Sequence, residues 1–137
     1  MITDTIVAPA TAEGKAGLSV IRLSGNKSHK LCLKLTNNQV KFIDREPVLS
    51  PVFLGESIID RALITFFKAP RSYTGDDVFE ISCHGSPVIV KSILDTLCKF
   101  GARVANPGEF TMRSFLSGKI DLVQAESVVS IIESESI

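Results

Sequence analysis

Apolar and polar residues alternate over 18–23, so that Leu18, Val20 and Arg22 share one face of an extended segment and Ser19, Ile21 and Leu23 the other. The same two-residue period recurs over 77–83, with Phe79, Ile81 and Cys83 on one face and Val78, Glu80 and Ser82 on the other. Shorter apolar runs predict strands at 4–9, near 51–54, at about 60–68 and at 102–105. Helical spacing of Leu31, Cys32 and Leu35 predicts a helix over 27–36, with Asn26 as its cap and Asn37-Asn38 as its end. Ser86 and Pro87 suit the N-cap and first position of a second helix, whose Ile89, Ile93, Leu94, Leu97 and Cys98 recur up to Gly101. Two more helices are expected at about 109–116 and 121–135. Gly118 ends the first of these, Asp121 and Gln124 form a capping box for the second, and Leu122, Ala125, Val129 and Ile132 make its apolar stripe. Segments 11–17, 39–50 and 70–75 read as loops. The sum is an α+β domain: a mixed sheet of about five strands flanked by helices, with the closing helices packed on one side.

A chain of 137 residues is the size of one domain. It can bury about two-thirds of its unfolded surface, enough for a core without staples. Its 15 basic and 15 acidic residues cancel, which argues against a principal nucleic-acid surface, since such surfaces carry a basic excess. Three cysteines, Cys32, Cys83 and Cys98, are an odd number without CxxC spacing, so buried thiols are expected rather than disulfides or a metal site. The N-terminus lacks a basic segment followed by an apolar one, and no apolar run approaches the roughly 20 residues that span a bilayer. A cytoplasmic protein without membrane contact is the expectation. The last helix reaches residue 137 without a Gly or Pro stop, so a longer parent polypeptide is expected.

Three ionic side chains stand out. Glu80 lies on a strand of apolar and small residues, where a carboxylate must be solvated or paired. It marks either a water-facing sheet surface or a bidentate acceptor for a ligand with two adjacent N–H donors. Arg22 shares a face with Leu18 and Val20; it is either a surface arginine at a strand end or a cation turned toward a pocket. Lys119 is a lone cation at the turn between two helices, where an ordinary helical corner and a ligand-facing turn both account for it. His84 follows Glu80 at an even spacing, but no nucleophile motif accompanies it, and Cys83 reads as core. No catalytic residue and no metal ligand set is expected. No G-x-x-x-x-G-K-[ST] loop occurs, so a P-loop nucleotide site is not expected in this stretch.

The specific spelling adds to this. Residues 106–126 read Asn-Pro-Gly-Glu-Phe-Thr-Met-Arg-Ser-Phe-Leu-Ser-Gly-Lys-Ile-Asp-Leu-Val-Gln-Ala-Glu. Upstream stand Asp4-Thr5-Ile6-Val7-Ala8, Gly17 and Arg22-Leu23-Ser24-Gly25. Between them come Pro70-Arg71-Ser72-Tyr73-Thr74-Gly75-Asp76-Asp77, Glu80 and Cys83-His84-Gly85. These three ordered blocks resemble the N-terminal domain of the tRNA modification GTPases of the MnmE/TrmE family, over residues 4 to about 133. The departures are Ser86 for a usual Gly, Asp76 for Glu and Ser117 for Asn.

The resemblance implies a fold like the folate-binding domain of aminomethyltransferases. Residues 1–120 would be a tetrahydrofolate-binding and dimerisation domain, and residues 121–137 the start of a helical domain interrupted by a GTPase domain absent here. It places the folate contacts, to 5-formyl- or 5,10-methylene-tetrahydrofolate, on Arg22, Glu80 and Lys119. It implies a homodimer, with Phe66 and Phe67 as either interface or core. For the full-length protein it implies hydrolysis of GTP with magnesium and potassium, tRNA contact, and an FAD-dependent partner protein, MnmG or GidA. The joint product is a carboxymethylaminomethyl-type group on the wobble uridine, U34. The alternatives are a free-standing folate-dependent aminomethyltransferase-like enzyme and a dimerisation module without ligand.

Overall fold

The computed structural model of the chain describes residues 4–11, 14 and 17–127. Six strands form one mixed sheet in the order β3-β4-β5-β2-β1-β6. They are β1 (Ile6–Pro9), β2 (Leu18–Ser24), β3 (Val48–Leu54), β4 (Ser57–Phe67), β5 (Val78–His84) and β6 (Arg103–Val104). The helices are α1 (Ser28–Leu35), α2 (Pro87–Phe100) and α3 (Glu109–Leu116), followed by a helical run at 122–127. The α+β class is as expected. The strand expected at 102–105 forms as β6, shortened to two residues; it pairs in parallel with β1, while every other ladder is antiparallel.

The alternation read in β2 and β5 divides the sheet. Ser19, Ile21, Leu23, Phe79, Ile81 and Cys83 are buried beneath α1 and α2, together with Val52, Ala62, Ile64 and Phe66 from the outer hairpin. Leu31, Cys32 and Leu35 of α1 and Ile93 and Leu97 of α2 close this core, as their helical spacing requires. Phe66 stacks on Phe79 at 4.6 Å between ring centres, so it belongs to the core. Burial also holds the Cys83 thiol in its protonated form, its pKa pushed up to about 11.

Helix ends follow local chemistry more often than helix starts. Asn37 and Asn38 adopt φ +50° and +57° and end α1 by donating to the Lys34 and Leu33 carbonyls. Asn26 does not cap α1. The helix begins at Ser28 after Lys27, whose N–H donates to Oγ1 of Thr5, the residue just before β1 (3.0 Å), so a distant segment serves this end. Ser86 holds the N-cap position of α2 without a side-chain capping bond. β3 starts three residues earlier than its apolar run suggests. Pro51 is tolerated inside it because β3 is an edge strand. The Asp121–Gln124 capping box forms reciprocally, at 2.9 and 2.8 Å. Val129 and Ile132, the outer half of the predicted stripe, lie outside the described residues.

Candidate functional site

The sheet face turned away from α1 and α2 carries the ionic residues. Arg22 and Glu80 are direct cross-strand partners on β2 and β5, and Thr65 and Ala8 extend the same row. Arg22 donates from Nε (3.2 Å) and Nη2 (2.8 Å) to one oxygen, Oε2 of Glu80. The second carboxylate oxygen, Oε1, has no partner among the described residues. The guanidinium also lies over the rings of Tyr73 and Phe110, at 5.3 and 5.8 Å from their centres. Both side chains stay about a third exposed, so the pair itself contributes at most about 1 kcal/mol to stability.

Three segments wall this row into a cleft of about 360 Å³, inside the range of ligand pockets. Its ionic lining is Arg22, Glu80, Lys119, Arg45 and Arg71, with Phe67, Tyr73 and Val78 as apolar walls. The structure therefore brings Arg22, Glu80 and Lys119 to one cavity. His84 is not part of it: at the far end of β5 its ring and backbone N–H engage Asp60, each at 2.8 Å. Burial pushes the Asp60 carboxyl up, but the His84 contacts and a backbone bond from Arg61 outweigh it and hold it below its ordinary value.

Lys119 is positioned by backbone geometry. Gly118 takes φ +79°, its N–H donates to the Phe115 carbonyl, and the Lys119 N–H donates to the Ser114 carbonyl. This paired closure is the Schellman arrangement, and it turns the chain sharply just after α3. Gly75 of the 70–77 loop packs directly against that turn. A Cβ at Gly75 would sit 2.9 Å from Cβ of Ser117, and the local φ is +87°. Ser24 and Thr74 share a buried hydroxyl contact (2.8 Å), and Tyr73 OH meets Thr111 Oγ1 at 3.0 Å. The three sequence blocks thus touch one another around the cleft.

An ionic network anchors α3 behind it. Arg113, only 3% exposed, donates to the backbone carbonyl and the carboxylate of Asp4, both at 2.7 Å, and reaches Glu109 at 3.4 Å. Arg103 grips both Glu109 oxygens (3.0 and 2.6 Å) and Asp4 (2.7 Å). The Arg103 hydrogen bond holds the carboxyls of Glu109 and Asp4 below their ordinary values, against a smaller effect of burial. Their folded-state pKa values are depressed, so the stabilisation is complete above the ordinary carboxylate range and is lost as pH falls through the lowered values. Asp76 has the opposite sign, because burial raises its carboxyl, and partly offsets this. Denaturant unfolding midpoints are expected to fall steeply once pH drops below about 4.5. Arg103→Gln flattens that acid limb; a limb of unchanged slope would remove Arg103 from the network.

Arg45 and Arg71 were not singled out from the sequence. Arg45 sits in a charged stretch with Lys41, Asp44 and Glu46 that reads as a solvated loop. In the fold its backbone takes φ +63°, its N–H donates to the Phe66 carbonyl (2.7 Å), and its guanidinium lies 5.3 Å from the Phe67 ring centre. Arg71 lies within the Pro-Arg-Ser-Tyr-Thr-Gly block, which signalled a loop without assigning this side chain a role. Among the described residues no cluster of His, Cys, Asp and Glu could hold a metal ion, and no helix is long and apolar enough to cross a membrane.

A family model described as "GTP-binding protein TrmE N-terminus" matches residues 5–119. The tRNA modification GTPase MnmE of Thermotoga maritima is 44% identical over 133 residues, covering 97% of this chain and 30% of that protein. The proteins of that name from Pseudothermotoga lettingae and Syntrophotalea carbinolica are 48% identical over 134 residues and 46% identical over 137, with the same coverage. The chain spans about 30% of the length of these curated relatives.

Proposed function

The chain belongs to the family of GTP-binding protein TrmE N-termini, and we propose that its cleft binds a one-carbon derivative of tetrahydrofolate, 5-formyl- or 5,10-methylene-tetrahydrofolate. The observation that carries this reading is the meeting of Arg22, Glu80 and Lys119 in one cavity. Glu80 has an unused oxygen, Oε1, which can accept an N–H of a reduced pteridine while Arg22 holds the other oxygen. Tyr73 and Phe67 offer apolar walls to the ring, and Lys119, in the same lining, meets the anionic end of the ligand.

Residues 1–120 form the folate-binding and dimerisation unit in this proposal, and residues 121–137 begin a helical domain. Dimerisation has its own support: Leu49 and Leu63, cross-strand partners on the open sheet face, are 63% and 44% exposed. The full-length protein would then be a cytoplasmic GTPase using magnesium and potassium. Together with an FAD-dependent MnmG/GidA-type partner it would modify the wobble uridine of tRNA, the folate supplying the one-carbon unit.

Calorimetric titration of the chain with 5-formyl-tetrahydrofolate is expected to give saturable binding with one site per chain. No saturable heat up to millimolar ligand would end the reading. One-carbon transfer by the chain alone would instead favour an aminomethyltransferase-like enzyme.

A further inference from the structure

Three of the four cations lining the cleft have no carboxylate partner among the described residues: Lys119, Arg45 and Arg71. Glu80 is matched by Arg22, so the cleft carries an unbalanced positive charge within a chain whose formal net charge is zero. Concentrating like charges in one concave site costs free energy unless an anion arrives to meet them. Arg45 is also held in place. Its backbone occupies the left-handed region, uncommon for a residue with a side chain. Its N–H is bonded to Phe66, its guanidinium covers Phe67, and Nη2 donates to the Arg71 carbonyl oxygen. Asp44 fixes the same loop by accepting the Lys68 N–H at 2.8 Å. A surface arginine without a role needs no such support.

The chemistry of the ligand proposed above sets how much negative charge the cleft has to meet. A single terminal glutamate brings two carboxylates, and every further γ-linked glutamate adds one. One glutamate leaves the Arg45 and Arg71 wall underused if Lys119 takes the first carboxylate. We propose that Arg45 and Arg71 select folates with an extended oligo-γ-glutamate tail, the pteridine lying against Glu80 and Arg22 and the tail running along these two arginines. This rests on the folate reading of the cleft and adds to it a specificity for tail length.

The test compares the mono- and triglutamate forms of 5-formyl-tetrahydrofolate by titration calorimetry. The proteins are the unaltered chain and the double variant R45N/R71Q; asparagine is chosen because it tolerates the left-handed backbone at position 45. The unaltered chain is expected to bind the triglutamate roughly 10-fold tighter, the scale of two partly exposed charge pairs. That preference is expected to shrink as salt is raised and to fall within about twofold of unity in the variant, circular dichroism certifying its fold. A preference equally large in chain and variant, or none in the unaltered chain, overturns the tail proposal and leaves the pteridine site standing. Binding of neither form overturns both. Loss of tRNA binding in the variant with an unchanged triglutamate preference assigns the two arginines to RNA phosphates and likewise overturns the proposal.

Discussion

Glu80→Ala is expected to weaken binding of 5-formyl-tetrahydrofolate by about 100-fold or more while leaving the fold intact. Truncating one partner of a desolvated, hydrogen-bonded charged contact costs about 2–5 kcal/mol in binding, and each 1.4 kcal/mol is tenfold. The Glu80 side chain is 32% exposed in the chain without ligand, which places the loss in the lower part of that range. Stability behaves differently. Arg22 loses its carboxylate in the variant but keeps water and the rings of Tyr73 and Phe110, so the melting transition shifts by no more than about 1 kcal/mol in free energy. Glu80→Gln is expected to lose affinity on the same scale, because its amide turns a donor toward the ligand's donors. Affinity within threefold of the unaltered protein, with unchanged circular dichroism, would remove Glu80 from the site.

The face shared by Arg22 and its neighbours was legible because a strand has a two-residue period; the partner it meets was not. Alternation places Arg22 and Glu80 each on a defined side of its own strand. Only the β2–β5 register puts them opposite one another, and register is a property of the assembled sheet. The turn carrying Lys119 was legible for a local reason: Gly118 supplies the positive φ that ends α3. The Asp121–Gln124 box likewise uses only its own residues. Asn26 misled because its usual capping advantage is local, whereas the N–H at the start of α1 found Thr5, just ahead of β1 and 22 residues away in sequence. Arg45 left no mark at all. A charged loop looks the same whether it floats in water or is folded over a cleft, and what distinguishes it is a left-handed backbone and a ring from another element.

Arg113 is the residue whose removal is expected to destabilise the chain most. It is buried, and its donors bind two groups of Asp4 and approach Glu109 and Asp76. Breaking a buried ion pair from one side costs about 3–5 kcal/mol where the remaining charge is left without compensation. Glu109 and the half-exposed Asp4 both keep Arg103, so no more than about 3 kcal/mol is expected for Arg113→Ala, roughly a 10 °C fall in melting temperature for a domain of this size. Arg113→Lys does not restore it, since an ammonium on a flexible stem cannot reproduce the planar fork that spans Asp4 and Glu109. The effect extends to the cleft, which Arg113 does not line. Helix α3 carries Phe110 beneath Arg22 and leads into the turn that sets Lys119. Folate affinity is therefore expected to fall several-fold even at temperatures where the variant stays folded. A variant that loses less than about 0.5 kcal/mol in denaturant unfolding contradicts the anchoring role, since that is the spread of ordinary surface substitutions. One that is strongly destabilised yet binds folate with unchanged affinity shows that α3 reaches its place over the cleft without Arg113.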